Sequence, residues 1–328
     1  MKNKKLLLYI IAAVCLVAVI VTTILLCTRT RYRYELNEAG DGYVITEFKG
    51  WAKNVKLPAR HRFLPVVSVG QEAFAGNNKI QSVTISKNIK TLDYRAFSEC
   101  TSLKAIKLNQ GLKDISTAAF QGCTAITEIV VPDGVTAIRS AAFQNCTNLT
   151  AISLPSSIET ISYLSFLGCP ELNTITVRDS GEYFYTKDNC LIEKESGTLV
   201  VGTNKSIIPT DGSVKAIGNG AFHDRIRLVS VQLSDSIESI GDSAFYGCRA
   251  LRTVSMSGVK IIGVRAFYDC AQLDSLTVSS ALKDISEAAF YGCSSLKKVE
   301  FIGSESDFGK ITIEEKNDKF ASAEIICK

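Results

Sequence analysis

Nine phenylalanines recur along this chain at a fixed spacing. Phe74, Phe97, Phe120, Phe143 and Phe166 follow one another at intervals of 23; after a break of 56, Phe222, Phe245, Phe267 and Phe290 follow at 23, 22 and 23. A strict period of this length marks a stack of similar units, none of which can bury its apolar side alone. It restricts the chain to a repeat architecture with a shared interior. The hydrophobic fraction of 46% is enough to fill one.

About six residues after each Phe comes a strand-like hexamer, such as "LKAIKL" (103–108), "LTAISL" (149–154), "LVSVQL" (228–233) or "LDSLTV" (273–278). Positions 1, 4 and 6 are apolar, and the step from 4 to 6 is the period of a strand with one buried face. A corner follows, with Pro132 and Pro155 in two units, then a second short apolar segment such as "LKDI" (112–115) or "IESI" (237–240). The expected fold is mainly β: a solenoid of about nine 22–23-residue coils, each with two short strands and a tight 3₁₀-like turn carrying the Phe. The 22-residue interval drops its residue near Ser257 and Gly258, at a corner.

Cys100, Cys123, Cys146, Cys169, Cys248, Cys270 and Cys293 all stand three residues after a ladder Phe; Asn77 and Arg225 replace the Cys in two units. The residue before them is Gly in five units and Asn or Asp in most others, as a left-handed turn position wants, with Glu99 departing from the habit. In a stack these thiols form columns and act as small apolar fillers with a weak donor. Inter-coil disulfides would need the side chains turned along the stack, and a linear ladder does not converge four ligands on a metal. Cys190 and Cys327 lie off the ladder.

Residues 6–27, "LLLYIIAAVCLVAVIVTTILLC", are apolar apart from two Thr. About 20 such residues span a bilayer, and the run is too long for a cleaved signal peptide. Ile24-Leu25-Leu26-Cys27 has the outline of a lipoprotein site, but Leu26 is too bulky there. A single uncleaved transmembrane helix is expected. Lys2, Lys4 and Lys5 precede it, and Arg29, Arg31 and Arg33 follow, so charge leans only slightly toward a cytoplasmic N-terminus. Without these six, the chain carries 31 basic against 33 acidic residues, which offers no footprint for nucleic acid. Only two histidines, His61 and His223, are present, and no nucleophile elbow, phosphate loop, HExxH or paired-carboxylate pattern occurs. No catalytic residue, metal or cofactor is expected.

The unit "CTNLTAISLPSSIETISYLSF" (146–166) is similar to the BspA-like leucine-rich repeat of bacterial and some protist cell surfaces. The resemblance covers about residues 34–328. It implies a right-handed solenoid used for binding, often adhesion, and names no ligand. On this reading residues 1–5 are a cytoplasmic N-terminus, 6–27 the anchor and 28–33 a juxtamembrane linker. An N-terminal cap follows at 34–65, a first repeat block at 66–177, a hairpin insertion at 178–209, a second block at 210–302 and a C-terminal cap at 303–328. Phe308 stands where the family's cap has an aromatic. The expected site is the cell membrane, single-pass, with the solenoid extracytoplasmic and a protein or cell-surface ligand as partner. A scaffold held close to the membrane on either side remains open.

Three surfaces are candidates for a partner. Hexamer positions 3 and 5 face outward and give a flat Ser/Thr-rich face that includes Thr174, Thr176, Ser230, Gln232, Thr253, Ser255, Ser275 and Thr277. Directly after the Phe, the later units carry His223, Tyr246, Tyr268 and Tyr291, an aromatic stripe on the C-terminal half alone. The insertion adds Tyr183, Phe184 and Tyr185. Each has an ordinary explanation too: solvated sheet, a common repeat residue, and rings that cover the gap between the blocks.

Overall fold

The computed structural model describes Val17 and residues 31–328 except Ser180. The expected anchor 6–27 and the segment before it therefore lie outside the described residues, Val17 apart. Among the described residues no helix is long and apolar enough to cross a membrane.

From Arg31 the chain winds into a mainly β solenoid of about 12 turns. Short strands line one side. Thr91–Leu92, Asp114–Ile115, Ala137–Ile138 and Thr160–Ile161 stack parallel, each residue over its counterpart one coil earlier. The hexamers build the other side, where strands such as Ser230–Leu233 and Thr253–Met256 alternate exposed or half-buried with buried residues. That alternation follows from the pleat: one row enters the core and the next meets water.

The turn that carries Phe closes each coil, and its backbone differs from the expectation. Of the nine turns, only Tyr163–Phe166 is a 3₁₀ helix. In the others the amides alternate in their partners. Those of Arg95, Phe97 and Glu99 reach carbonyls of the next coil, while those of Ala96, Ser98 and Cys100 fold back three residues. The alternation requires left-handed residues on both sides of the Phe. The later one is Gly76, Glu99, Gly122, Asn145, Gly168, Asp224, Gly247, Asp269 or Gly292, all with positive φ. Glu99 is therefore no exception in conformation. Long side chains alternate with Gly in this column because each one lies over the next coil. A Cβ on Gly122 would stand 2.3 Å from the Glu99 carboxylate, and one on Gly247 would stand 2.4 Å from that of Asp224.

The phenyl rings form two continuous stacks. Phe74, Phe97, Phe120, Phe143 and Phe166 lie with centroids 4.7–5.7 Å apart. Phe222, Phe245, Phe267 and Phe290 lie 5.0–5.2 Å apart. All nine are buried. Both caps add a ring: Phe48 stacks on Phe74 at 4.8 Å and Phe320 on Phe290 at 5.1 Å. The cap ring on the ladder is Phe320; Phe308 packs edge-on against Phe301 and lies stacked 6.2 Å from Phe320. In the insertion, the Gly202 amide donates to Ala221 just as the amides of Phe97, Phe120, Phe222 and other ladder Phe residues donate to the coil ahead. Gly202 holds a ladder place without a ring, and the ring of Phe222 fills the room, 2.0 Å from where its Cβ would be. Phe48, Gly202 and Phe320 account for turns beyond the nine expected. In the C-terminal cap the Phe290 amide meets a side chain where other ladder amides meet a backbone carbonyl: buried Asn317 supplies its side-chain oxygen at 3.0 Å.

The ladder thiols are buried, and no disulfide joins any of the nine described cysteines. Each thiol donates to the carbonyl of the Phe one coil back: Cys100 to Phe74, Cys123 to Phe97, Cys146 to Phe120, Cys169 to Phe143, Cys248 to Phe222, Cys270 to Phe245 and Cys293 to Phe267, at 3.1–3.2 Å. Burial raises the pKa of Cys146, Cys169, Cys248 and Cys270, to about 12 for Cys169 and Cys248, and the hydrogen bond with Cys100, ahead of burial, raises that of Cys123. Arg225 takes the Cys place after the insertion and is itself buried. Its guanidinium donates to the carbonyls of Gly202 (2.7 Å), Cys169 (3.0 Å) and His223 (2.8 Å), tying the two blocks together across the break.

Three expectations follow from this interior. Phe120→Ala should cost about 3–5 kcal/mol in equilibrium unfolding, and a loss below about 1 kcal/mol would contradict the stacked column. Arg225→Ala should cost at least about 3 kcal/mol, because two buried carbonyls and one half-buried one lose a charged donor. It should also split urea unfolding into separate steps for the two blocks; a single unchanged transition would refute its bridging role. The thiols titrate near 9 when exposed and near 12 at Cys169 and Cys248. A raised folded-state pKa stabilises below the unfolded value and loses that contribution as pH rises through the folded one. Stability should therefore fall between these two limits, by up to about 1.4 kcal/mol per pH unit for each such thiol. Cys169→Ala and Cys248→Ala should each flatten the fall in pH-dependent denaturation.

Candidate functional site

The Ser/Thr face is divided in two. Thr174–Val177 pairs with Ala151–Leu154, and that strand with Glu128–Val130. Ser230–Leu233 begins a separate five-stranded sheet that ends at Glu324–Cys327. Among the described residues, no strand pairing joins Thr174 and Thr176 to Ser230 and Gln232. Asn204 of the insertion stands between them. Its amide donates to the carbonyl of Pro170 at 2.8 Å, and its side-chain oxygen accepts from the Arg227 amide at 3.1 Å. Asn204 also begins one of three glycosylation sequons, and its amide is committed to this bridge.

The second half of the face is where the expected residues come together. Ser230, Thr253 and Ser275 form one row by strand register, and Gln232, Ser255 and Thr277 the next. All six line one shallow depression of about 360 Å³, with Val231 and Val254 beneath. Its floor holds hydroxyls and one amide, each able to donate or accept. The rows continue into charge. Lys298 and Lys328 each lie 2.7 Å from Glu300, and their hydrogen bonds hold its carboxyl at about 2. The face thus offers a polar, uncharged centre with an ion-paired edge. In the first half, Arg178 reaches back over the strand ends to Ser153 (3.0 Å) and to Val131 and Asp133 (2.7 Å each). Sequence reading missed Arg178 and Asn204, since both act through the insertion that the period does not cover.

The aromatic stripe is a second stack parallel to the phenyl ladder. His223 lies 4.7 Å from Tyr246, Tyr246 lies 4.9 Å from Tyr268, and Tyr268 lies 4.9 Å from Tyr291. The rings cover one another's faces and present their edges outward; Tyr291 at the end is exposed. Partial burial raises the Tyr246 hydroxyl, and the carboxylates of Asp269 and Asp224 add to it. His223 Nδ1 lies 3.0 Å from the Asp224 carboxylate. In the first block the same column holds Gln121, which donates to Gln144 at 2.7 Å.

The insertion is a three-stranded antiparallel piece, Phe184–Lys187, Cys190–Glu193 and Thr198–Val201. Phe184 is buried in the first core and Tyr185 packs on the second, while Tyr183 is exposed. Two of the three rings therefore fill the junction. Cys190 is buried, which raises its thiol to about 11, and Cys327 is half-buried.

A groove of about 940 Å³ lies on the opposite side, where the turn 37–42 folds against the corners of the first coils. Glu38, Asp41 and Asp93 line it with Lys87 and Lys90. Thr91 donates to Ser68 at 2.9 Å and Ser68 to Asp93 at 2.7 Å along its floor. No local motif marks it, because it forms only when the cap docks. Among the described residues, no group of three or more His, Cys, Asp or Glu side chains is placed to hold a metal ion.

Solved structures share this architecture. A leucine-rich repeat protein from Eubacterium ventriosum aligns with TM-score 0.61 at 17% identity, over 92% of this chain and 83% of that one. The pneumococcal vaccine antigen PcpA aligns with TM-score 0.60 at 17% identity, over 91% and 97%. A leucine-rich repeat protein from Bacteroides ovatus aligns with TM-score 0.50 at 23% identity, over 90% and 89%. No functionally curated protein matches the chain. The model of the BspA type leucine-rich repeat region matches in six copies over residues 67–191 and 202–317. With most of its length in that repeat and its coils closed by the Phe and Cys ladders, the chain belongs to the BspA-type leucine-rich repeat family.

Proposed function

We propose that this chain is a membrane-anchored, extracytoplasmic protein-interaction module, with the second half of the Ser/Thr face and the adjoining aromatic stripe as its contact surface. The observation that carries the reading is the depression lined by Ser230, Gln232, Thr253, Ser255, Ser275 and Thr277. The solenoid places its apolar side chains in the interior. What it leaves outside, over five parallel strands, is a rigid polar row whose hydroxyls need no ordering before they bind. The Tyr edges beside it supply the rigid amphipathic contact that interfaces favour. The pneumococcal relative is described as a vaccine antigen, and exposure outside the cell fits the apolar run 6–27 with the chain's bulk following it.

A second reading has a specific observation behind it. Only three residues, 28–30, separate the apolar run from the first cap strand, Arg31–Leu36, in place of the six-residue linker 28–33 expected from sequence. Even extended, the step from Cys27 to Arg31 reaches about 14 Å, so the solenoid stays close to the bilayer. That favours a partner in the same membrane or in the wall zone over one on a distant cell.

Protease treatment of intact cells should remove the solenoid; full protection would refute the extracytoplasmic reading. Tyr246→Ser combined with Tyr268→Ser removes stacked pairs worth about 0.5–1.5 kcal/mol each. The double variant should stay folded by circular dichroism and lose most of its binding to cell-surface protein. Unchanged binding would remove the stripe from the contact surface.

A further inference from the structure

The chain has a single tryptophan, Trp51, and it is 71% exposed. What sets Trp51 apart is its surroundings. Lys49 and Lys53 flank it two residues away on either side, both exposed, and Lys79 of the next coil holds its ammonium 5.8 Å from the indole centroid. Glu47 is the acidic partner at this corner, already paired with Arg33 at 3.0 Å and Lys49 at 2.9 Å.

The position of this corner is fixed by the first hairpin. Arg31–Leu36 pairs antiparallel with Tyr43–Lys49, and Arg31 stands opposite Lys49. Arg31 lies four residues past Cys27, the last residue of the apolar run. That is an extended reach of about 14 Å. Trp51 is two residues beyond Lys49, so it sits at the entry corner of the cap. The other end of the hairpin is the turn 37–42, with Glu38 and Asp41. Trp and basic residues thus gather where the chain enters, and Glu38 and Asp41 stand some 20 Å away along the strands, where Arg60, Lys87 and Lys90 make the charge mixed.

We infer that the Trp51 corner, with Lys49, Lys53 and Lys79, rests in the headgroup layer of the bilayer that holds residues 6–27, and that this contact sets the direction in which the solenoid points. The inference rests on the anchored reading above. Indole is amphipathic and settles at the boundary between headgroup and hydrocarbon, and ammonium groups beside it meet lipid phosphate. The other end of the hairpin, the turn 37–42, is turned away. The cap then stands on the membrane at a second point beside the anchor, and the first coil lies nearest the lipid.

The single tryptophan reports on this directly. The full chain is reconstituted into vesicles of phosphatidylcholine with and without phosphatidylglycerol, and retention after alkaline wash is measured first. Loss from the vesicles overturns the anchored reading and this inference with it. In retained chain, Trp51 emission should be blue-shifted, quenched by lipids spin-labelled near the headgroup and severalfold less accessible to acrylamide. Anionic lipid should strengthen the quenching, and Lys53→Glu with Lys79→Glu should reverse that gain. Water-like emission with no quenching by labelled lipid, in chain that is retained, overturns the inference and leaves the anchor standing. Phe63 is 91% exposed and lies on the turn beside His61, which stacks under Tyr34 toward the turn 37–42. In a chain carrying Trp51→Phe and Phe63→Trp, the emission should be water-like; quenching equal to that at position 51 overturns the stated orientation.

Discussion

The carbonyl oxygen of each ladder Phe lies inside an aromatic column, away from water. It accepts the amide three residues on, as from Cys123 to Phe120 at 3.1 Å, and has one lone pair left. The thiol of the next coil takes that lone pair, Cys146 to Phe120 at 3.2 Å. An unmet buried acceptor costs about 1–3 kcal/mol, and the same contact is made to Phe74, Phe97, Phe120, Phe143, Phe222, Phe245 and Phe267. A hydroxyl in the same place would meet it but would bring a more polar group into the core. Cys is small and apolar and still donates, so one side chain both fills the column and closes its hydrogen bonding. The spacing of Phe and Cys, the handed turn between them and the 23-residue coil all answer to that one contact.

Where the contact cannot be made, the substitute has the reach the place demands. After the insertion the coil behind is set differently, and Arg225 spans the wider gap with three carbonyl bonds. In the C-terminal cap, where the final turn at Phe320 is irregular, Asn317 stands in for a backbone carbonyl at the Phe290 amide. These exceptions share a logic with the rule: a solenoid is limited by its backbone accounting at the breaks, because hydrophobic stacking tolerates many side chains and hydrogen bonding does not.

Much of this was legible in the sequence. Every coil places its residues in the same surroundings, so Phe, Cys and the later left-handed position repeat visibly, and the outward rows follow from strand period. The earlier left-handed position was not legible. It is held by Glu72, Arg95, Ala118, Ala141, Gly220, Ser243, Arg265 and Ala288, which share no side-chain property. Stacking imposes that conformation through bonds to the next coil, such as Arg95 to Thr117 and Ala118 to Ser140. The turns at Phe48, Gly202 and Phe320 were hidden for a related reason. Each has an unusual neighbour on one side, so the consensus that marks the others is absent. The division of the Ser/Thr face was hidden too, because it depends on where the insertion puts Asn204.

The two halves of the solenoid differ in what they offer outside. The first block carries Gln121 and Gln144 in the column after Phe, and Arg178 ties down the end of its strands. The second block carries stacked rings in that column and an open polar depression on its face. The interior is the same in both, so stability does not require the difference. The stacked Tyr rings add ring contacts that the Gln pair of the first block lacks, while the row of hydroxyls brings little to folding that Ser and Thr elsewhere in the repeat do not. Their confinement to the half farther from the N-terminal cap is the asymmetry on which the proposed contact surface rests.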